Sequence, residues 1–427
     1  MKHSVTEHTL ASGARGIVVD VPGSSVINLE VRFNAGFSFA DRSAYELPHV
    51  LEHMLAGSSQ KYPGPNAFVV EASKNGAYVN AHTSVRSNGY VYEFAPFELE
   101  RILDMVEEQL VRPYLVADRL AVETSNVREE LTRMLTQPGS LVTMTLLSAA
   151  MPGQWLDYET RISQLGALTV EQLKAFYDRT FTSANALFSV AGDVGVGEAI
   201  VARLERIFRQ LPRGEALAWQ AERGRLLAKP AVRHQPIGQV YYRVTRSLPQ
   251  LSLPQRRTMM LLRTLLVGGF ASRVLGKARE KGWAYSVGGV FSAELGAATA
   301  GFGGYVTTDH AKHLFGLMGE QLHDLAEHAV RPAELEDAVR LMTGNWLRTI
   351  QTPADILSWY SDDFDEWGMV RQFDEEVKAI ARVTPAQVQA AAQLILQEGR
   401  FAAAFVGDLD AAQVEQYATD LGVFGKK

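Results

Sequence analysis

The sequence contains no cysteine, so neither a disulfide framework nor a thiolate metal site can form, and any bound metal must sit on imidazole and carboxylate ligands. Long apolar runs are also missing. The richest stretch, TMMLLRTLLVGGFASRVLG at 258–276, is broken by Arg263 and followed by charge, which suits a buried helix entering a loop and not a membrane span. The first twenty residues lack the apolar segment of a secretory signal, so the expected location is cytoplasmic, without membrane contact. No surplus of positive charge exists: 42 basic against 48 acidic residues leave a net charge of -6, which removes the electrostatic basis for nucleic-acid binding. What remains is an ordinary globular composition, 47% hydrophobic and 21% charged, over 427 residues, enough for two or more domains with their own cores.

The pattern along the chain supports two. GIVVD (16–20) and SVINLEVRF (25–33) read as strands, the second alternating with period two. Apolar residues then recur at helical spacing from about Ala44 to Leu55. A further helix near 65–75 leads to GAYVNAHTS and GYVYEF, expected to form a hairpin turning at Asn88 and Gly89. Helices are expected at about 97–110 and 115–136, then the strand NALFSVAGDV and a helix at about 195–209. Residues 211–230 carry mixed charge and few strand signals, as in a linker. Beyond them the pattern repeats. ALFSVAGDV at 186–194 has its counterpart in FAAAFVGDLD at 401–410, LEHMLAG at 51–57 in LRTLLVG at 262–268, and AYVNAHTS in AYSVGGVFS. The shared order at an offset of about half the chain indicates duplication, with the histidines lost from the second copy.

The most specific feature is His49-Val50-Leu51-Glu52-His53. At about 100° per residue, His49 and His53 stack on one helix face and Glu52 projects from nearly the same side. Two imidazoles can then share one ion, with a carboxylate beside it to take a proton from water. The order HxxEH inverts the commoner HExxH and satisfies the same geometry. Two surface histidines at this spacing by accident are the bland alternative; it is weakened by Val50, Leu51, Met54 and Leu55, which would bury the imidazoles and oblige them to find polar partners. A third ligand must come from elsewhere, and the helix at 115–136 offers Glu123, Glu129 and Glu130. Residues 123, 127, 130 and 134 form one stripe, from which Glu129 points about 100° away.

These residues resemble the pitrilysin/insulinase family of inverted-motif zinc peptidases, in particular its short two-domain branch that includes mitochondrial processing peptidase, and the resemblance spans nearly the whole chain. HVLEHMLAG is similar to the family's metal helix. The family's spacing puts the third zinc ligand on Glu130, and its catalytically important glutamate seven positions earlier on Glu123, where it would orient a ligand or the water. YVNAHTS at 78–84 resembles the edge strand that holds an extended peptide in the family, which assigns substrate binding to Asn80 and Ala81. SRVLGKAREKGWAYSV resembles the segment whose arginine and tyrosine reach substrate from the second domain, here Arg279 and Tyr285. Two places depart from the pattern: Ala56-Gly57-Ser58-Ser59 stands where the family usually has Phe-Lys-Gly-Thr, and Trp283 replaces a common leucine.

The expectation is therefore an α+β protein of two homologous domains, 1–212 and 230–427 with a linker at 213–229, each an antiparallel sheet packed with helices and facing the other as a clamshell. The resemblance implies one Zn2+ per chain on His49, His53 and Glu130, Glu52 as general base, and hydrolysis of an extended peptide. It also implies pairing with itself or with a related subunit. The competing expectation is a non-catalytic binding or assembly subunit on the same fold. Such relatives usually lose HxxEH residues, which this chain keeps.

Overall fold

The computed structural model describes residues 2–193, 197–397 and 401–421; Val194, the start of the helix expected at 195–209, and residues 422–427 lie outside them. Two mixed α+β units are present. One comprises Met1–Thr132, Glu159–Trp219 and Thr349–Arg371; the other comprises Arg133–Tyr158, Gln220–Arg348 and Gln372–Lys427. Neither is a single contiguous stretch of chain.

The first unit is built on a six-stranded sheet of β1 (Ser4–Thr9), β2 (Arg15–Asp20), β3 (Ile27–Phe33), β4 (Tyr78–Thr83), β5 (Asn88–Phe94) and β6 (Ala186–Gly192). Their spatial order is β1-β2-β6-β3-β5-β4, and every pairing is antiparallel except β2 with β6. The central strands are rich in Val, Ile, Leu and Phe because both faces are covered, and β6 is almost wholly buried. β4 is an edge, with alternating exposure along YVNAHT.

The β4–β5 hairpin turns through Ser84–Ser87, not at Asn88 and Gly89, which are the first two residues of β5. The Ser84 hydroxyl explains the difference: it accepts from the Arg86 and Ser87 amides at 3.1 and 2.8 Å and so builds the turn before the asparagine is reached. Gly89 is needed inside the ladder instead. A side chain there would collide with the His82 ring opposite it, its Cβ falling 2.3 Å from that imidazole.

The second unit repeats the plan. β7 (Ala231–His234), β8 (Gln239–Pro249), β9 (Gly288–Ala293), β10 (Ala297–Thr307) and β11 (Ala402–Gly407) form a sheet of order β7-β11-β8-β10-β9. Again only the first pair, β7 with β11, is parallel. Strand for strand this is β2-β6-β3-β5-β4, with β1 as an addition to the first copy. Residues 212–230 between the copies carry no helix or strand.

Each sheet is covered by a helix from the opposite half of the sequence. Pro138–Ala150 packs on β7, β8 and β11, where Leu141, Val142, Leu146 and Ala150 close over Ala402, Ala404 and Val406. Pro353–Trp367 packs on β2, β3 and β6 through Ile356, Leu357, Tyr360 and Phe364. Its Asp365 pairs with Arg86 at 3.0 Å, and its Tyr360 hydroxyl with His3 at 2.8 Å. Among the described residues no helix is long and apolar enough to cross a membrane.

Candidate metal centre

Helix Leu47–Gly57 carries HxxEH and packs against β4 and β5. Pro48 sits in its first turn, where a missing amide hydrogen costs nothing, and Val50, Leu51, Met54 and Leu55 bury the face that anchors it. Its N-cap, Glu46, makes no capping bond with its side chain. That carboxylate, fully buried, instead accepts from His49 Nδ1 at 2.9 Å and from Arg161 Nε. Arg161 is in turn covered by the rings of Phe37 and Tyr45, with its guanidinium carbon 4.9 and 5.5 Å from their centroids.

His53 is held in the same manner from another helix. Its Nδ1 lies 3.5 Å from Glu123 Oε2 on Ala117–Thr136. Arg119 donates to Glu123 Oε1 and Asn126 Nδ2 to its Oε2, the latter at 2.9 Å. The Nδ1 atoms of both imidazoles thus face buried carboxylates, and each carboxylate is neutralised by an arginine. Both Nε2 atoms face one further carboxylate oxygen, Glu130 Oε2, at 3.5 Å from His49 and 3.8 Å from His53. Glu129 is exposed beside it. The rings stand 4.9 Å apart at 77° to one another.

Potential ligand atoms of His49, Glu52 and His53 lie within 4.8 Å of one another. Glu52 is buried, and its Oε2 accepts from the Thr83 hydroxyl of β4 at 3.0 Å. Glu46 is matched by Arg161 and Glu123 by Arg119, while the carboxylates of Glu52 and Glu130 stand with the two imidazoles as candidate ligands of a divalent cation. The donor set itself, two imidazoles and carboxylate without thiolate, fits zinc.

Electrostatics without a metal point the same way. Burial opposes charge on His49, but the bonds to Glu130 and Glu46 prevail and raise its pKa to about 9, as expected where carboxylates surround an imidazole and favour positive charge. Burial likewise opposes ionisation of Glu46, and Arg161 with His49 overcomes it and holds that carboxyl below its ordinary value. For Glu123, burial is outweighed by His53, Asn126 and Arg119, in the same direction.

His49, Glu52, His53, Glu123 and Glu130 are therefore gathered in the first unit. In β4, Asn80 is on the exposed side of the strand and Ala81 is half-buried, on the side shared with Thr83. Arg279 and Tyr285 lie in the second unit, at and just beyond helix Leu275–Glu280. They form a sandwich: the Arg279 guanidinium carbon lies 4.7 Å from the Phe270 ring centre and 4.6 Å from that of Tyr285, and Nη1 donates to the Tyr285 carbonyl at 2.8 Å. Phe270 and Tyr285 are each 76% exposed, unusual for aromatic rings with no further cover. Sequence reasoning missed Glu46, Arg161, Arg119, Thr83, Asn88 and Phe270. For Glu46 and Arg119 a signal existed, their spacing of three from His49 and four from Glu123 on a helix.

Comparison with known proteins agrees with this geometry. The chain is similar to an uncharacterized zinc protease of Streptomyces coelicolor, 24% identical over 92% of this chain and 87% of the relative. It is also similar to one of Mycobacterium leprae, 24% identical over 94% and 92%. A crystal structure of a peptidase M16 inactive domain from Pseudomonas fluorescens has the same fold, with a TM-score of 0.82 at 20% identity, over 96% of this chain and 98% of that one. The model of the insulinase family, peptidase family M16, matches residues 18–162, and that of the peptidase M16 inactive domain matches 167–342. Two models of one family, in order and nearly abutting, span most of the sequence, and the chain belongs to the insulinase family of M16 peptidases.

Proposed function

We propose that this protein is a zinc-dependent endopeptidase acting on extended peptides. The observation that carries the reading is the double support of the histidines: each Nδ1 faces its own arginine-neutralised carboxylate while both Nε2 atoms face Glu130. Buried imidazoles kept only for packing need no such matched pair, whereas metal-ligating histidines characteristically have their second nitrogen so engaged. In this reading His49, His53 and Glu130 hold the ion. When bound, zinc supplies Lewis acidity, polarising a peptide carbonyl and making water a better nucleophile.

Glu52 is left as the group that accepts a proton from the attacking water and returns it to the departing amine. It suits this task because only one of its oxygens is engaged by the protein among the described residues. Glu46 and Glu123 fix the tautomers of His49 and His53. The free edge of β4 offers backbone groups to a substrate strand regardless of its sequence, and Asn80 and Ala81 lie along that edge. Arg279 and Tyr285 contribute substrate contacts from the second unit, as a cation and a hydroxyl suited to a peptide carbonyl or its developing negative charge.

The test is to load the purified protein with zinc, incubate it with a peptide mixture and identify products by mass spectrometry, with Glu52→Gln alongside. The expected result is cleavage at internal bonds, abolished in Glu52→Gln with zinc content unchanged. Glu130→Gln should weaken metal binding far more than Glu129→Gln. Intact peptides with zinc-loaded wild type would sink the assignment as a peptidase and leave a binding subunit on this fold.

A further inference from the structure

Glu52 leaves its helix towards β4, where Thr83 donates its hydroxyl to Oε2 at 3.0 Å. Thr83 is paired in register with Asn88 of β5, whose Nδ2 donates to the same hydroxyl oxygen at 2.9 Å. Asn88 is completely buried. A hydroxyl has one hydrogen, and an amide nitrogen can only donate, so Asn88 takes up a lone pair of Thr83 Oγ1 and leaves its hydrogen for Glu52. An ionised carboxylate can only accept, so the two bonds run in one direction: amide, hydroxyl, carboxylate.

We propose that Thr83, aimed by Asn88, is a positioning residue that holds the Glu52 carboxylate so that Oε1 faces the reacting water. The inference rests on Glu52 being the base in the reading above. A glutamate side chain has three rotatable bonds, and packing restrains mainly the first of them on a helix. The bond to Oε2 removes the freedom that matters for the base, which oxygen points outward and at what angle. Both donors come from the hairpin and not from the metal helix, and β4 is also the strand proposed to carry the peptide. One strand therefore aligns the base and the substrate with each other, which a base held from its own helix would not provide.

The experiment compares zinc-loaded Thr83→Val, Thr83→Ser, Asn88→Asp and Glu52→Gln with wild type by kcat and KM on a peptide cleaved by the wild type, by zinc content, by thermal melting and by crystal structure. Thr83→Val keeps the shape of the side chain and removes the donor. It should lower kcat roughly 10- to 100-fold, the worth of a hydrogen bond to a charged group, with KM within about threefold. Zinc content should be unchanged and the Glu52 carboxylate should be rotated or spread over several positions. Thr83→Ser should restore kcat to within about threefold and return the carboxylate to place. Asn88→Asp replaces the aiming donor by an acceptor that competes for the same hydrogen, and should resemble Thr83→Val in kcat while keeping zinc. The proposal is overturned if Thr83→Val leaves kcat unchanged or leaves Glu52 where it is in wild type, or if Thr83→Ser does not restore it. Should Glu52→Gln retain wild-type kcat, the reading of Glu52 as base fails instead, and the crystal structures still report whether Thr83 orients that side chain.

Discussion

The helices Leu47–Gly57 and Leu253–Val267 occupy corresponding places in two copies of one plan, yet only the first carries the HxxEH residues. Aligning LEHMLAG with LRTLLVG puts Met260 opposite His49, Arg263 opposite Glu52 and Thr264 opposite His53. None of the replacements is left wanting a ligand. Thr264 bonds back to the Met260 carbonyl at 2.9 Å, and Arg263 donates to the Gly289 carbonyl at 2.9 Å. One position is retained with its sign reversed. Where the first helix has the buried Glu46 paired with Arg161, the second has Arg257 paired with the buried Glu376. In the first copy the ion pair continues through His49, which donates to the same Glu46 carboxylate. The histidines of the first copy have an outer layer of charge, Glu46 with Arg161 and Glu123 with Arg119, that faces their Nδ1 atoms.

That contrast can be broken most severely at the histidines. His49→Ala or His53→Ala should abolish stoichiometric zinc binding, while the double variant Met260→His with Thr264→His should add none, because Arg257 stands there in place of the Glu46 carboxylate. Elemental analysis finding two zinc ions per chain in the double variant would show that spacing alone suffices. Next in size, Tyr285→Phe should cost about 10²–10³ in kcat if its hydroxyl meets developing charge, with zinc content and melting unchanged. Wild-type kcat and KM in that variant and in Arg279→Ala, with zinc retained, would confine the chemistry to the first unit.

The buried ion pairs give the sharper comparison. Arg161→Met and Arg257→Met should each destabilise by about 3–5 kcal/mol, since each takes the arginine from a buried carboxylate. Only Arg161→Met should also weaken zinc binding, about 10- to 100-fold, by releasing His49. Denaturation and competitive chelation measure the two effects separately; equal loss of zinc affinity in both would mean general loosening. The pH dependence has a definite sign. The folded state holds Glu46 below its ordinary value, so its contribution is present at neutral pH and disappears as the pH falls through that lowered value. In Arg161→Met the loss should begin at higher pH.

Much of this was legible because helices have a fixed period. HxxEH implies one face whatever surrounds it, and the stripe through residues 123 and 130 follows from the same rule. Strand order was not legible, but the repeated motifs at half the chain length implied that the second sheet would copy the first. The hairpin turn was misread because Asn88-Gly89 is a strong turn dipeptide, and its local preference yielded to the Ser84 turn and to burial of Asn88 against Thr83. Arg161 and Thr83 could not be assigned, since each meets the metal helix across long sequence separations that no local pattern records. Amphipathic spacing shows that Pro138–Ala150 and Pro353–Trp367 cover something apolar; it does not say which sheet.

The crossing of those two helices bears on biosynthesis. As the chain emerges from a ribosome, the strands that flank the metal helix are all available by about residue 192, but the helix that closes over β2, β3 and β6 is made only when residues 353–367 appear. Until then an apolar sheet face is bare, and the nascent first half is a client for chaperones or for a neighbouring chain. A protein cut between its repeats would inherit the same exposed face permanently. The two halves are therefore expected to be recovered in soluble form when co-expressed, each supplying the other's missing cover, and to aggregate when made alone.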